Sequence, residues 1–540
     1  MKTQTIRETG QKIMAWIAAH GKPTCRQLGS QLGIPKSTIH RHGQARERRD
    51  QYPESCFWET EVGQSWLRRL YFGVLYCFGL GNNVGAEKLA EFFRVIRLDT
   101  HVGSSASALG ARLRQMEKML PQFQTACEAG QSTPRRKVVL AGDETFFGEL
   151  LILVLMDLTS GYLLVEEIAE DRKFETWLQA AEPRLKALNL EVDHAVTDRA
   201  KALIKLAVEG FACPSGADVF HAQYDISKWL GARLQRQCES ARRTLQESET
   251  ALQDLKDKGA ADRSLQDFKR GEVKRATRGS RQLERGRDAY LENLHGVSEA
   301  IHPFSIGDSS PQTATEIQYN LEEKARAFEK IAHRCSMRDR KGILAKFRNQ
   351  FKDLASGVSV WWGWVTESLS LQHLDQDKQD WVLHAALPAV YWHHQLEKTQ
   401  NADQRKKYQA NWHQALAGFQ AHPVTTDLAA EELTSWQAWA EEAVGRFHRS
   451  SSAVEGRNGY LSQMYHNRRG LAPGRLKTLT VMHNYGLTRS DGTTAAERLF
   501  GTPFPDLFEW LVEQMGELPL ARKGKRRAIR NPLNLNRVPA

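Results

Sequence analysis

Three apolar stretches between residues 137 and 170 constrain the fold more than any other part of the chain. They are KVVLAGDETFF, ELLILVLMDL and GYLLVEEIAE, and a TSG turn joins the second and third into a predicted hairpin. The amphipathic stretch DRKFETWLQAAEPRLKALN follows as a helix, and two short strands then each lead into a helix. The predicted order is therefore β-β-β-α-β-α-β-α, which indicates a mixed sheet covered by helices.

The charge balance bears on the kind of partner. The 540-residue chain has 75 Lys and Arg residues against 64 Asp and Glu residues, which gives a net charge of +11. A basic excess of this size indicates a polyanionic partner, most often nucleic acid. The seven cysteines are scattered without a CxxC pair, which argues against a zinc cluster or a disulfide framework and fits a reducing compartment.

Neither a secretory leader nor a membrane span is expected from the sequence. The N-terminal stretch MKTQTIRETG lacks the apolar region that a signal peptide needs. The strongest apolar run, LLILVLMDL at 150–158, contains Asp157 and is too short to cross a bilayer. We therefore expect a cytoplasmic, nucleoid-associated protein with no membrane partner.

Residues 7–49 predict three short helices with helix-turn-helix spacing. Thr24 is placed to cap the second helix, and Gly33 and Ile34 form a tight turn before the third. The third helix is strongly basic and would enter the major groove of DNA. An ordinary three-helix bundle with a charged outer face is the alternative. Under the first interpretation, the residues that face bases or phosphates are Ser37, Thr38, His40 and Arg41.

The predicted fold class is α/β plus all-α, with a large helical insertion in the sheet domain. Within the insertion, the polar segment 231–297 predicts an antiparallel helical hairpin, which we expect to pair protomers. Its Trp-rich remainder favours a helical core over a base-stacking platform. The expected regions are 1–55 (helix-turn-helix), 56–130 (second DNA-binding module or spacer), 131–230 (sheet), 231–445 (insertion), 446–510 (helices with Glu455) and 511–540 (basic tail).

Two acids lie at the ends of predicted strands. Asp143 closes the first strand and Asp198 closes the fourth, and these two strands can be neighbours in a sheet of this order. Both carboxylates would then point into one site, where hard divalent cations such as Mg²⁺ bind carboxylate oxygens. Two such ions can activate an attacking oxygen and stabilise a leaving oxygen in phosphodiester cleavage. Glu144 and Asp157 are further candidates, of which Asp157 is less well placed.

Each candidate also has a purely structural interpretation. Asp143 is compatible with a strand-end turn, and Asp198 with a helix N-cap. Glu455 stands in Ser452-Ala-Val-Glu455, an S-x-x-E capping box, so it can act as a cap or as a third metal ligand. His221 closes the predicted fifth strand, where it would orient a phosphate or a water near the metals or be satisfied by the backbone.

Three stretches of the chain carry a resemblance to a known family. They are GDETFFGELLILVLMDLTSGYLLVEE, AVTDRAKALI with VFHAQYDISKWLG, and SSSAVEGRNGYLSQMYHNRRGL with VMHNYGLTRSDGTTAAERLFG. Over roughly residues 7–50 and 135–510, the chain resembles bacterial insertion-sequence transposases of the DDE class, in particular the ISNCY type. The resemblance implies an RNase H-like catalytic domain with a helical insertion. It also implies that Asp143, Asp198 and Glu455 hold two Mg²⁺ (or Mn²⁺) ions, although Glu455 lies much farther from Asp198 than in compact members.

The resemblance implies a DNA transposase that cleaves and joins DNA strands. Its partners would be double-stranded DNA, as the terminal repeats of the element and as the target, and further copies of the chain on that DNA. A catalytically inactive DNA-binding protein or repressor and an RNase H-like nuclease are the alternatives. Phosphates would be neutralised by Arg457, Arg468, Arg469, Arg522, Lys523, Lys525, Arg526 and Arg527.

Overall fold

In the computed structural model, five strands form one mixed sheet, as the alternating pattern predicts. The strands are β1 (Arg136–Phe147), β2 (Leu150–Asp157), β3 (Leu163–Ala169), β4 (Leu190–Thr197) and β5 (Ser215–Ala217). Their order across the sheet is β3-β2-β1-β4-β5. The first strand pairs antiparallel with β2 and parallel with β4, which confirms that the first and fourth strands are neighbours.

The register of β1 corrects the predicted position of its acid. Parallel pairing with β4 ends at Gly142 opposite Thr197, whereas antiparallel pairing with β2 continues to Phe147 opposite Leu150. Asp143 therefore lies inside β1, just beyond the end of its parallel pairing, and is not a strand-end turn residue. At the neighbouring position, Asp198 directly follows β4.

The structure describes residues 10, 12–13, 15–21, 23–49, 57–58, 60–131, 134–257 and 263–521. Most of these residues are helical, and most of the helices lie outside the sheet region. None of the described helices combines the length and the apolar character that a membrane crossing needs. The helices are α1 (Cys25–Leu32), α2 (Lys36–Arg49), α3 (Glu61–Val74), α4 (Ala86–Val95), α5 (Ala106–Ala129), α6 (Phe174–Ala187), α7 (Lys201–Lys205), α8 (Val219–Ile226), α9 (Ala232–Asp257), α10 (Arg263–Ala300), α11 (Ala314–Arg334), α12 (Ile343–Arg348), α13 (Phe351–Ser370), α14 (Gln376–Trp381), α15 (Leu387–Lys398), α16 (Ala402–Ala421), α17 (Pro423–Asp427), α18 (Ala430–Gly445), α19 (Ser452–Met464), α20 (Pro473–Gly486), α21 (Ala495–Phe500) and α22 (Leu507–Gln514).

The chain divides into two units, and each is built from segments that are distant in sequence. One unit comprises residues 1–130, 463–497 and 502–540, and the other comprises 131–462 and 498–501. The second unit therefore contains the sheet, the insertion and most of the helix that carries Glu455. Strand β1 and the returning segment 498–501 are joined within it, because the Arg136 guanidinium donates to the carbonyls of Leu499 and Phe500.

The Trp-rich part of the insertion forms a hydrophobic core, as its sequence predicts. Trp361, Trp381 and Trp392 are buried within one large cluster of apolar side chains. Helices α9 and α10 pack side by side, as expected for the polar hairpin. The connection between them, residues 258–262, lies outside the described residues. The insertion is therefore packed in the same unit as the sheet.

The N-terminal helices follow the sequence signals that predict them. Thr24 caps α1 through a capping box with Gln27, and Gly33 ends that helix with a left-handed φ of 64°. A small core forms around Ile13, Leu28 and Ile39. Both the cap and the tight turn before α2 are therefore confirmed.

Candidate metal-binding and catalytic site

Asp143 on β1 is a half-buried carboxylate with an unfavourable charge. Burial and the nearby charges of Asp198 and Glu144 raise its pKa to about 6. Its Oδ2 accepts a hydrogen bond of 2.7 Å from the side-chain amide of Asn458 on α19. Because the neighbouring acids repel its negative charge, this site favours a proton or a cation.

Asp198 occupies a tight turn directly after β4. Its Oδ1 accepts from the backbone N–H of Ala200 at 2.8 Å. Helix α7 begins only at Lys201, so Asp198 is not its N-cap, and the cap interpretation is wrong. The next residue, Arg199, has a left-handed φ of 70° and forms an ion pair with Asp353 on α13. A left-handed φ is uncommon for a residue other than glycine. The ion pair with Asp353 fixes Arg199, and with it the loop that carries Asp198.

Asp218 is the acid that sequence reasoning missed. It follows β5 and caps α8 by accepting from the N–H of Phe220 at 2.9 Å. Its other oxygen accepts from the Ser451 hydroxyl at 2.6 Å and from His221 Nδ1 at 2.8 Å. Its side chain has no exposed surface. The missed signal was the short run Ser-Gly-Ala-Asp, a minimal strand that ends in a capping residue.

His221 lies in the first turn of α8, which corrects its predicted position at the end of a strand. The hydrogen bond to Asp218 and the charges of Asp218, Glu455 and Asp198 raise its pKa to about 9, against the opposing effect of burial. The imidazole is therefore protonated at neutral pH. Its charge also acts on the pKa of Asp143, so His221 interacts electrostatically with all four carboxylates.

Glu455 on α19 lies beside Asp218 and His221. Its Oε1 lies 3.7 Å from His221 Nδ1, is buried and has no hydrogen-bond partner among the described residues. Burial and the charge of Asp218 raise the pKa of Glu455. Ligand atoms of Asp218, His221 and Glu455 lie within 4.8 Å of one another, so these three residues can hold a metal ion. A buried carboxylate oxygen without a donor is the arrangement that a cation would satisfy.

The start of α19 does not support the capping-box interpretation of Glu455. Ser452 is the first residue of the helix, and its N–H donates to the Ser450 hydroxyl at 3.1 Å. The preceding Ser451 directs its hydroxyl to Asp218. The serine run therefore connects α19 to Asp218, while the Glu455 side chain faces the acidic cluster.

Two further contacts fix α19 over the sheet. Arg457 makes two charge-assisted hydrogen bonds, of 2.6 and 2.7 Å, to the carboxylate of Glu166 on β3. Glu166 and Asp143 lie in one row across the sheet, since both are register partners of Val154. The side chains at 457 and 458 thus hold one helix over β3 and β1. The arginine is only 5% exposed, so a role as a phosphate ligand does not fit its position.

The two further candidate acids, Glu144 and Asp157, have other partners. Glu144 forms a salt bridge of 2.6 Å with Arg172, although its charge still acts on Asp143. Asp157 is buried and accepts hydrogen bonds from Val139 and from Ser160. Asp157 therefore holds the β2–β3 turn.

The predicted DNA-contacting residues are only partly described. On α2, Ser37, His40 and Arg41 are exposed and Thr38 is half-buried. His40 also contacts the side chain of Gln44. The side chains of Arg468 and Arg469 lie outside the described residues, and so does the part of the tail from residue 522 onward, with Arg522, Lys523, Lys525, Arg526 and Arg527.

A comparison with protein families finds a match in the C-terminal part of the chain. A family model described as "Family of unknown function (DUF6399)" matches residues 382–527. The matched segment includes Glu455 and the helices around it, but none of the strands. The sequence has no match among curated proteins.

Proposed function

We propose that the protein is a DNA transposase that cleaves and joins DNA strands with divalent metal ions at the acidic cluster. The observation that carries the proposal is the buried Oε1 of Glu455, which has no hydrogen-bond partner among the described residues and lies beside Asp218 and His221. Asp143 and Asp198 interact electrostatically with the same imidazolium, so four carboxylates from separate parts of the chain act on one positive charge. Such an accumulation of negative charge is costly without cations, and perturbed carboxylates are typical of catalytic sites.

The sheet supports an RNase H-like interpretation of this unit. Asp143 lies where the parallel pairing of β1 ends, and Asp198 follows the strand beside it. The helix of Glu455 crosses the same face and is fixed there by Asn458 and Arg457. This arrangement agrees with the triad that the resemblance to DDE transposases implies.

In this proposal, Asp143, Asp198 and Glu455 hold the ions, and Asp218 is a further ligand. Bound Mg²⁺ or Mn²⁺ would activate the attacking oxygen and neutralise the charge on the phosphate. Asp218 orients His221 through the 2.8 Å hydrogen bond. His221 holds a proton at Nδ1 between Asp218 and Glu455, and a cation there would take over the proton's role in neutralising these acids.

The experiment is a strand-cleavage assay on DNA that carries the sequences flanking the gene on both sides. The wild-type protein should cleave these ends with Mg²⁺ or Mn²⁺ and join the released 3′ ends to target DNA. Asp143→Ala and Asp198→Ala should bind the same DNA and cleave nothing. Asp171→Ala, at an exposed acid outside the cluster, is the matched control and should cleave normally.

Two outcomes would contradict the proposal. A wild-type protein that binds the ends but cleaves nothing under any divalent metal would be a DNA-binding protein or repressor. Cleavage without any joined product would favour an RNase H-like nuclease.

A further inference from the structure

A basic groove runs between α10 and the end of α11, away from the acidic cluster. It encloses a cavity of about 660 Å³. Four of its cations come from α10, and the fifth, Arg334, is the last residue of α11, directly before the C-cap Cys335. The five cations that line the groove are Lys274, Arg278, Arg281, Arg285 and Arg334, and all five are exposed.

The ion pairs of α10 involve other cations than those of the groove. Glu272 pairs with Lys269, Glu284 with Arg242, and Asp288 with Arg287. Within the part of the chain that the structure describes, none of the five groove cations forms an ion pair. The groove is therefore a concentrated positive surface.

The packing of the two helices makes the groove a fixed feature. A Cβ at Gly286 would lie 2.7 Å from Cys335 Sγ, so glycine permits the close approach of α10 to the end of α11. The Gln282 side-chain amide also donates to the Arg334 carbonyl at 3.1 Å. These contacts hold the arginine of α11 opposite the row on α10.

The row of cations is long enough to contact several phosphates of a nucleic-acid backbone. Lys274, Arg278, Arg281 and Arg285 follow one another at intervals of four, three and four, which keeps them on one helix face. The row spans about 16 Å at a rise of ~1.5 Å per residue. One strand of DNA presents a phosphate about every 3.4 Å of axis, so roughly five phosphates lie along that length.

We propose that this groove binds the sugar-phosphate backbone of duplex DNA. The inference rests on the proposed function, because it takes the DNA substrate of the acidic cluster as its ligand. The groove would be a second DNA contact, located on the insertion. DNA binding there would need neither metal ions nor cleavage. Since phosphate contacts position a protein without reading sequence, the groove would hold DNA in register for the acids rather than choose the site.

The test is a fluorescence-anisotropy titration of labelled duplex DNA with the full chain in EDTA, over a series of salt concentrations. The variant R278Q/R281Q/R285Q removes three charges from the groove. Its matched control, R242Q/K269Q/R270Q, removes three paired charges from the same hairpin. Glutamine is used because it keeps a good helix propensity on exposed positions.

The groove variant should bind DNA at least about tenfold more weakly, and the slope of log K against log salt should fall by about three. The control should keep the affinity and slope of the wild type to within about twofold. Circular-dichroism melting should show both variants folded. Unchanged DNA binding by the groove variant, or an equal loss in the control, would overturn the proposal.

Two further measurements distinguish DNA binding by the groove from DNA cleavage and from contact between copies of the chain. Asp198→Ala should keep full affinity and slope, so that loss of cleavage and loss of groove binding are measured independently. Light scattering without DNA should give the same mass for the wild type and the groove variant. A smaller mass for the variant with unchanged DNA affinity would make the groove an interface between copies and overturn the assignment.

Discussion

The side-chain amide of Asn458 donates a 2.7 Å hydrogen bond to Asp143, across 315 positions of sequence. This contact joins the helix of Glu455 to the strand that carries the first acid. The other end of the Asn458 amide, Oδ1, is buried and unpartnered among the described residues. A long insertion separates Asp143 from Glu455 in sequence, and the hydrogen bond from Asn458 holds β1 and α19 together in the fold.

Glu455→Gln distinguishes a ligand from a structural residue. We expect this change to abolish metal-dependent DNA cleavage, because the neutral amide is a weaker ligand for hard cations. The fold should survive, since Oε1 has no hydrogen bond to lose. Cleavage of end-bearing DNA and the circular-dichroism melting curve are the two measurements. Retained cleavage at near wild-type rate would show that Glu455 has only a structural role.

Asp143→Asn should stabilise the protein in EDTA. The folded state raises the pKa of Asp143 from 3.8 to about 6, so above pH 6 the charged form is held unfavourably. Removing that charge should raise the free energy of unfolding at pH 8 by roughly 1–2 kcal/mol after solvent screening. The gain should vanish as the pH falls from 6 towards 3.8. Urea unfolding at several pH values measures it.

Asp171→Asn is the matched control for that experiment and should have the opposite sign. Hydrogen bonds from Lys173 and Thr176 lower the pKa of the exposed Asp171 to about 2. Its charge is therefore favourable in the folded protein, and its removal should lower stability. If both variants shift stability in the same direction, the burial of Asp143 and its repulsion by neighbouring acids are not the cause.

The buried pair of Arg457 and Glu166 should stabilise the fold rather than bind DNA. Arg457→Met removes the two charge-assisted hydrogen bonds of the buried Glu166 carboxylate and should cost about 3–5 kcal/mol in the free energy of unfolding. The double variant Arg457→Met/Glu166→Leu should recover most of that loss. Urea denaturation of both variants measures the difference. Equal losses in the single and double variants would mean that packing, not an uncompensated charge, dominates.

His194 should make the protein less stable in acid. Burial lowers its pKa to about 4, and its Nε2 lies 3.1 Å from the Ser356 hydroxyl. Between pH 6.5 and 4, the unfolded chain binds a proton that the folded chain excludes, so stability falls as the pH falls. Between pH 7 and 5, the wild type should lose roughly 2 kcal/mol more than His194→Gln. Parallel pH dependence in both proteins would contradict this assignment.

The order of the strands along the chain and the neighbouring positions of Asp143 and Asp198 were predictable, because alternating and apolar patterns are local signals. The turn at Asp198 also allowed a helix-cap interpretation, since both need an acceptor beside a free N–H. Asp218 was missed because the fifth strand was predicted to end at His221, whereas β5 has only three residues, Ser215–Ala217, and its short pairing with β4 is not a local signal. The burial of Arg457 depends on Glu166, 291 positions away, which no local pattern reveals.

Binding of divalent cations by the acidic cluster is the property on which the proposed function depends. Its most direct test is a calorimetric titration of Mn²⁺ into the wild-type protein, Glu455→Gln and the control Asp171→Asn at pH 8. The wild type and the control should bind Mn²⁺ saturably, and Glu455→Gln should bind it much more weakly. Mn²⁺ binding by Glu455→Gln with the affinity and stoichiometry of the wild type would contradict it.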